Sequence, residues 1–192
     1  RVDDAWPPRA ARAVELAARI DGTLAHGRPS AAEELQWTHD PMDLVPSSVP
    51  DAFSYLLTLP NEAPLGSRDD VLVFETAPAS DTVDLAGSVS ARARVRSSGP
   101  VMDCFVRVLD VAPDGTALRI ARGQLQLRDA TDPETINIDL GQLGYRLEPG
   151  HRPGHRGPRA ARLVGLRLGV PQGVAGRRPR HPGALVRGPL GR

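Results

Sequence analysis

The sequence predicts an all-β sandwich, and three features of its 192 residues lead to that fold class. Between 83 and 96, apolar and polar residues alternate, which is typical of a strand with one buried face and one wetted face. Further apolar runs are short and are separated by turn residues at regular intervals, as in sandwiches rather than βαβ units. Five prolines between 41 and 64 exclude a long helix there.

The individual strands have recognisable signals. Residues 13–20 suit a short helix or a strand, and the hairpin-type turn Asp21-Gly22 that follows favours the strand. A second short candidate covers 33–38, and the apolar run 71–74 suits a buried strand. Gly87 interrupts the alternating stretch and is expected to mark a bulge. The other strands are predicted at 83–95, 102–111, 116–128 and 136–140, with one more beginning near 145.

Charge divides the chain sharply near residue 150. Residues 151–192 contain ten arginines, nine glycines, six prolines and no acidic residue. Residues 1–150 hold the other 14 arginines and all 23 acidic residues, and the chain contains no lysine. We therefore expect one domain over 1–150, including a proline-rich connection at 40–66, and a disordered or frame-shifted tail over 151–192.

Several broad classes do not fit the sequence. No run of 18 apolar residues is present, which argues against a membrane partner. The polar N-terminus is unlike a signal peptide and lacks an initiator methionine, so we expect a piece of a longer protein. Cys104 is the only cysteine, so no internal disulfide forms and cysteine usage does not fix the compartment. A reducing cytoplasm is the default expectation.

No complete catalytic site is expected. A serine hydrolase presents its nucleophile in Gly-x-Ser-x-Gly, and this motif is absent. His26 and His39 are interpreted as loop or turn residues rather than catalytic bases. Cys104 lies among alternating apolar residues and is interpreted as a small buried side chain rather than a nucleophile.

Metal, cofactor and nucleic-acid sites are not expected either. Asp103, Asp110 and Asp114 lack the dense spacing of a calcium loop, and Asp114 is explained by a turn. No phosphate-binding loop or zinc-ligand motif occurs. The arginine-rich tail offers charge for phosphates, but it has no aromatic residue on which a base would stack.

The segment from Trp6 to Arg152 resembles the C-terminal domain of the X-Pro dipeptidyl-peptidase and cocaine esterase (CocE/NonD) family of serine hydrolases. The strongest block is 103–111 followed by the turn Pro113-Asp114-Gly115. The remaining blocks occur in the family's order and spacing. They are Trp6-Pro7-Pro8, Val14-Glu15-Leu16, Asp21-Gly22-Thr23-Leu24, Trp37-Thr38-His39-Asp40-Pro41, Val45-Pro46-Ser47, 70–76, 83–87, Ile138-Asp139-Leu140 and Gly150-His151-Arg152.

The resemblance implies a galactose-binding-like jelly roll that follows an α/β-hydrolase domain. The family's catalytic Ser, Asp and His lie in that upstream domain, and neither His26 nor His39 has the neighbours of the family's histidine. The implied role is to pack on the catalytic domain, help to wall its active site and in some members join subunits. The parent enzyme would hydrolyse esters or peptides through an acyl-enzyme.

The resemblance ends abruptly after Arg152. The family continues there with an apolar strand and a serine-rich segment containing Phe-Pro, whereas this chain continues with Pro153-Gly154-His155-Arg156. Acidic residues disappear at the same point, which suggests a shift of reading frame. A competing interpretation is that the alternating stretch 164–170 forms a genuine strand.

The proline-rich connection is the predicted docking face for the missing catalytic domain. Its apolar residues have no regular period that would send them all into the chain's own core, so self-association is also expected. They are Leu44, Val45, Phe53, Tyr55, Leu56, Leu57 and Leu59. The alternative is that this connection wraps its own sandwich. A different functional class is a free-standing carbohydrate- or protein-binding sandwich, with Trp6, Trp37, Tyr55 and Tyr145 as its aromatic candidates.

Overall fold

The computed structural model confirms the all-β sandwich. It describes residues 4–27, 34–36, 38, 40, 42–158 and 162–171, and at 155–158 and 162–171 it describes the backbone alone. In this part of the chain nine strands are found, together with the single-turn helix α1 (Ser54–Leu57) and a 3₁₀ helix (Ala63–Ser67). The strands are β1 (Ala11–Ala18), β2 (Leu24–His26), β3 (Val71–Glu75), β4 (Val83–Val95), β5 (Val101–Val111), β6 (Ala117–Arg128), β7 (Glu134–Leu147), β8 (Arg152–Pro158) and β9 (Arg162–Pro171).

The strands form two antiparallel sheets with jelly-roll connectivity. The five-stranded sheet has the order β2-β1-β9-β4-β7, and the four-stranded sheet has the order β3-β8-β5-β6. From β3 to β9 the chain changes sheet at every connection except the β5–β6 hairpin. This alternation between two facing sheets is the arrangement of a jelly roll. The fold that the family resemblance implies is therefore the fold observed.

The alternating pattern of β4 places one set of side chains in the core. Val89, Ala91 and Ala93 are buried, whereas the intervening arginines Arg92 and Arg94 are exposed. Similar alternation in β5 and β7 supplies the facing side chains, so the two sheets share one apolar interior. That interior includes Leu16, Leu24, Phe74, Leu85, Val89, Val95, Cys104, Val106, Val108, Ile136, Ile138, Leu140 and Leu143.

The bulge predicted at Gly87 is displaced. The register of β4 on β7 shifts between Val89 and Ser90, where β7 contributes Leu140 as an extra residue. Gly87 is required for another reason: its φ is 120°, and the Cβ of Pro7 lies 3.3 Å from where a Gly87 side chain would begin. The glycine therefore admits the N-terminal segment onto the outer face of the five-stranded sheet.

The short candidate strand at 33–38 is wrong at the positions that the structure describes. Residues 34–36 and 38 adopt no strand conformation, and Trp37 lies outside the described residues. Leu35 packs alone against the core, while Glu34 reaches Arg96 at 3.0 Å. At its described positions, the stretch 34–38 is attached to the sandwich through the side chains of Leu35 and Glu34 and not through strand pairing.

The structure departs from the expected tail at 152–158 and 162–171, which form β8 and β9. Strand β8 lies between β3 and β5, and β9 lies between β1 and β4. Without β8 and β9, the backbone N–H and C=O groups on the facing edges of β3, β5, β1 and β4 would have no partners in the sheet. Pairing with these edges therefore favours strands at 152–158 and 162–171 despite their glycines and arginines. Residues 159–161 and 172–192 lie outside the described residues, and the frame-shift interpretation stays a prediction.

Helices contribute little to this fold. Among the described residues no helix is long and apolar enough to cross a membrane. The longer of the two helical pieces is the five-residue 3₁₀ helix, which contains Pro64. The prolines of this region thus exclude a long helix, as the sequence predicts.

The close approach of β6 to β7 predicts a sensitive position at Gly123. A Cβ added there would collide with the carbonyl oxygen of Asp139 and lie 2.8 Å from Cγ2 of Ile138. We expect Gly123→Ala to lower the free energy of unfolding by about 1–3 kcal/mol, because the two strands must separate to admit it. Thermal and urea denaturation followed by circular dichroism measure this change.

Gly99→Ala is the matched control, because no atom lies within 4 Å of its added Cβ. The control should melt within roughly a degree of the unmodified chain. Equal melting temperatures for the two variants would contradict the close strand packing at Gly123.

Candidate docking surface

Residues 42–61 present large apolar side chains that the sandwich does not bury. Leu56 is 79% exposed and Leu57 is 72% exposed, and both belong to α1. We call the side chains of Phe53, Leu56, Leu57 and Leu59 the apolar face; all four are exposed. An exposed cluster of this kind is typical of a surface that another protein covers.

The same segment also contributes to the chain's own interior. Val49 is buried, and Val45 and Tyr55 are half-buried. The connection is therefore divided: some of its residues wrap the sandwich, and the apolar face is left exposed. Met42 and Leu44 are exposed as well, ahead of the face in sequence.

The helix α1 is fixed at its start by Asp51. One carboxylate oxygen of Asp51 accepts the Ser54 backbone N–H at 2.9 Å, and the other accepts the Ser54 hydroxyl at 2.9 Å. These hydrogen bonds lower the pKa of Asp51. A single turn of helix gains little stability by itself, so these hydrogen bonds to Asp51 and the flanking anchors keep Leu56 and Leu57 in place.

Glu62 anchors the end of the segment. Its carboxylate is completely buried and is held between two arginines of the four-stranded sheet. Arg107 Nη1 donates to Oε2 at 3.1 Å, and Arg119 Nη1 donates to Oε1 at 3.1 Å. The Ser48 hydroxyl adds a third donor at 3.2 Å. A buried carboxylate is tolerated only with such partners, so Glu62 fixes the segment's position on β5 and β6.

The aromatic ring of Tyr55 connects α1 to the same anchor. The guanidinium of Arg119 lies 5.2 Å from the ring centroid, which is a cation–π distance. Hydrogen bonds from Ser48, followed by smaller effects of Arg119, lower the pKa of the Tyr55 hydroxyl. Because Arg119 binds both Tyr55 and Glu62, the helix and the anchor form one polar unit.

Backbone hydrogen bonds extend this attachment. The Glu62 N–H donates to the Ala117 carbonyl at 2.8 Å, and the Ala117 N–H donates to the Asn61 side chain at 2.9 Å. Beside them, Ala63 packs on a small second core formed by Leu109, Val111 and Ala117. The segment is thus joined to the first residue of β6.

The beginning of the segment is held by Arg68. Its guanidinium binds Asp70 at 2.7 Å and also donates to the backbone carbonyl of Asp43 at 2.8 Å. Hydrogen bonds to Asp70 and Asp43 raise the pKa of Arg68, so it stays charged. Residues 42–61 are therefore tied down at both ends, while the middle carries the apolar face.

The outer face of the four-stranded sheet also exposes apolar side chains. Phe105 of β5 is 45% exposed, and Val101 on the same side of this strand is also exposed. Phe105 lies two residues before Arg107, a distance of ~6.6 Å along an extended strand. The anchor of Glu62 is therefore flanked by the apolar face and by Phe105.

The histidines and the cysteine considered from the sequence do not form a catalytic site among the described residues. His26 is exposed at the end of β2, and His39 lies outside the described residues. Cys104 is buried in the core, and burial raises the pKa of its thiol to about 11. A thiol with that pKa is protonated near neutral pH and is a poor nucleophile.

The three aspartates considered for calcium are each engaged separately. Asp103 accepts from Gln126 at 3.1 Å, and Asp114 accepts the Thr116 N–H at 2.8 Å in its turn. Asp110 is buried and binds neither Gln126 nor Thr116. Across the residues that the structure covers, no cluster of three His, Cys, Asp or Glu side chains is suited to a metal.

Asp110 joins β5, β7 and the start of β8. The Tyr145 hydroxyl donates to one oxygen at 2.7 Å, and Nδ1 of His151 lies 2.8 Å from the other. Burial, followed by the hydrogen bond to Asp110, raises the pKa of Tyr145 to about 12. Sequence reasoning missed both this cluster and the Glu62 anchor. Asp110 has one local signal, a single charge inside an apolar stretch, whereas Glu62 in its proline-rich segment has none.

Comparison with known proteins agrees with this architecture. Residues 1–152 match the family described as the X-Pro dipeptidyl-peptidase C-terminal non-catalytic domain. The cocaine esterase of Rhodococcus sp. (strain MB1 Bresler) is 30% identical over 149 residues, which cover 68% of this chain and 25% of the esterase.

Two solved structures share the fold. An aminopeptidase from the marine sediment archaeon Thaumarchaeota archaeon superposes with a TM-score of 0.73 at 20% identity, over 89% of this chain and 36% of the aminopeptidase. An α-amino acid ester hydrolase gives a TM-score of 0.67 at 19% identity, over 82% of this chain and 34% of the hydrolase. The chain thus spans between a quarter and about a third of these relatives. By its match over 1–152, it belongs to the family of X-Pro dipeptidyl-peptidase C-terminal non-catalytic domains.

Proposed function

We propose that this chain is the non-catalytic β-sandwich of a serine hydrolase similar to X-Pro dipeptidyl-peptidases and cocaine esterase. In this proposal its partner is an α/β-hydrolase catalytic domain. The family match over residues 1–152 carries the proposal, and the exposed apolar face supports it. The catalytic domain of the parent enzyme would supply the nucleophile, the base and the oxyanion hole.

The parent reaction is hydrolysis of an ester or peptide through an acyl-enzyme. The nucleophilic serine attacks the substrate carbonyl, the leaving group departs, and water then releases the acyl group. The β-sandwich contributes by packing beside the catalytic domain and forming part of the active-site wall. Such packing excludes water and positions the substrate, and neither effect requires a reactive side chain in the sandwich.

The apolar face is the proposed contact with the catalytic domain. Its side chains are exposed, yet the backbone beneath them is fixed by the Glu62 anchor and by Arg68. A pre-organised apolar surface loses little conformational entropy when a partner covers it. Without that partner, the same surface favours self-association of the chain, which we also propose.

The alternative function is a free-standing module that binds carbohydrate or protein. Trp6 favours it, because its indole is 56% exposed on the five-stranded sheet and its N–H donates to Gln142 at 2.9 Å. Tyr55 and Tyr145 are already engaged by Arg119 and Asp110, and Trp37 lies outside the described residues. The cytoplasm stays our proposed compartment, consistent with the unpaired Cys104.

The first prediction concerns catalysis by the isolated chain. We expect no hydrolysis of p-nitrophenyl acetate or of an Ala-Pro anilide above the rate of a heat-denatured sample. The reason is that transition-state stabilisation needs an assembled nucleophile, base and oxyanion hole. Turnover that a serine-directed phosphonate titrates to zero would overturn the assignment as a non-catalytic domain.

The second prediction concerns the apolar face. Replacing Phe53 and Leu57 together with serine should reduce self-association, measured by sedimentation velocity. The melting temperature should change by no more than roughly 2 °C, because neither side chain leaves a cavity. Phe74→Ser is the buried control, since Phe74 is 1% exposed.

The control should cost about 3–5 kcal/mol, as expected for emptying a core site. If the Phe53/Leu57 double variant is destabilised as strongly as the Phe74 control, those residues stabilise the sandwich and the proposed contact is wrong. If the double variant is stable but self-associates as strongly as the unmodified chain, the surface that causes self-association does not include Phe53 and Leu57.

A further inference from the structure

A group of arginines lies beside the apolar face. Arg107 of β5 and Arg122 of β6 are directly paired in the antiparallel ladder, and Arg119 pairs with Leu109 near the end of this ladder. Paired residues of an antiparallel sheet project from the same side. Because Arg107 and Arg119 both bind Glu62, the side they share is the outer face of the sheet. We call these three residues the arginine patch.

The patch contains one guanidinium, that of Arg122, which no described residue binds. Glu62 supplies one carboxylate, which it shares between Arg107 and Arg119. Arg122 is exposed, and among the described residues it has no hydrogen-bond or ion-pair partner. Residues 1–150 contain 14 arginines against 23 acidic residues, so this patch is basic on a part of the chain that is acidic.

The position of the patch matters more than its charge. Arg119 lies against Tyr55 of α1, next to Leu56 and Leu57 of the apolar face. On the other side, Phe105 precedes Arg107 by two residues, a distance of ~6.6 Å along β5. Because Arg122 is paired directly with Arg107, it lies beside the stretch of sheet between Tyr55 and Phe105.

We infer that the catalytic domain places a carboxylate side chain over Arg122, at the edge of the contact made by the apolar face. This inference rests on the proposed function and adds the chemistry of the partner surface: an apolar region bordered by an acidic residue. Arginine pairs well with carboxylates because its planar guanidinium donates two parallel hydrogen bonds. A charge pair at this edge of the contact would also favour one orientation of docking.

The test replaces the matched part of the Rhodococcus cocaine esterase with the full 192-residue chain and places a site for a specific protease in the junction. Joining the two parts gives an effective concentration near the millimolar range, so modest docking is detectable. The rate of cleavage at the junction then reports the undocked fraction. We expect Arg122→Glu to raise this rate about tenfold in 50 mM NaCl and by less than about twofold in 1 M NaCl, because salt screens exposed charges.

Arg94→Glu is the matched control. It makes the same charge change on the exposed face of the five-stranded sheet and should leave the cleavage rate unchanged. An equal effect of the two variants would show a general charge effect and overturn the inference. Unchanged cleavage in Arg122→Glu would do the same while leaving the proposed function intact. Unrestricted cleavage of the unmodified chimera, at the rate of an unstructured peptide, would instead contradict docking itself and the proposed function.

Discussion

The buried carboxylate of Glu62 is the interaction on which the exposed surface of this protein depends. Of the buried charged side chains that the structure describes, Glu62 has the lowest exposure. Two arginines from neighbouring strands and one serine hydroxyl surround it. Removing either arginine would take away one of the two positive charges that compensate this carboxylate in a dry environment, which is unfavourable. The backbone that carries α1 is therefore fixed by electrostatics, while its leucines contribute nothing to the core.

Buried carboxylates with polar partners occur at two other places in the described part of the chain. Asp70 is buried and binds Arg68, and Asp110 is buried between Tyr145 and His151. Asp70 holds Arg68 just before β3, and Asp110 connects β5 to β7 and to the residue before β8. Ion pairs of this kind add little net stability compared with apolar packing, but they select one arrangement among several. In this chain they position the connections, and aliphatic side chains of the two sheets supply the burial that holds the sandwich together.

Much of the fold was predictable because strand alternation is a local signal. The buried Val89 and Ala91 beside the exposed Arg92 follow directly from the period of two. The position of the β4–β7 register shift was not predictable from the sequence of β4. It depends on which residue of β7 has no paired residue in β4, and that residue is Leu140. Strand β9 covers the alternating stretch 164–170, whose period of two was one of the two interpretations drawn from the sequence. Strand β8 has no apolar pattern of its own, and its place is set by the unpaired edges of β3 and β5.

The candidate surface was only partly predictable. The lack of a regular period in the proline-rich connection indicated that some of its apolar residues would stay outside the core, and Leu56 and Leu57 do. The same reasoning could not distinguish Leu56 and Leu57 from Val49, which is buried. Which side chains reach the core depends on the position of the backbone, and the ion pairs of Glu62 fix that position. That pairing joins residues 45 and 57 positions apart in sequence, and no local pattern contains it.

The most direct test of this account is hydrogen exchange, measured by mass spectrometry, in Glu62→Gln. The substitution removes the charge that Arg107 and Arg119 share, and should weaken the attachment by about 3 kcal/mol. Amides of residues 51–63 should then exchange on the order of 100-fold faster, while those of β4 and β7 keep their rates. Glu34→Gln, which removes an exposed ion pair with Arg96, should leave both regions unchanged. Unaltered exchange of 51–63 in Glu62→Gln, or equal acceleration throughout the sandwich, would contradict the claim that this carboxylate holds the docking surface in place.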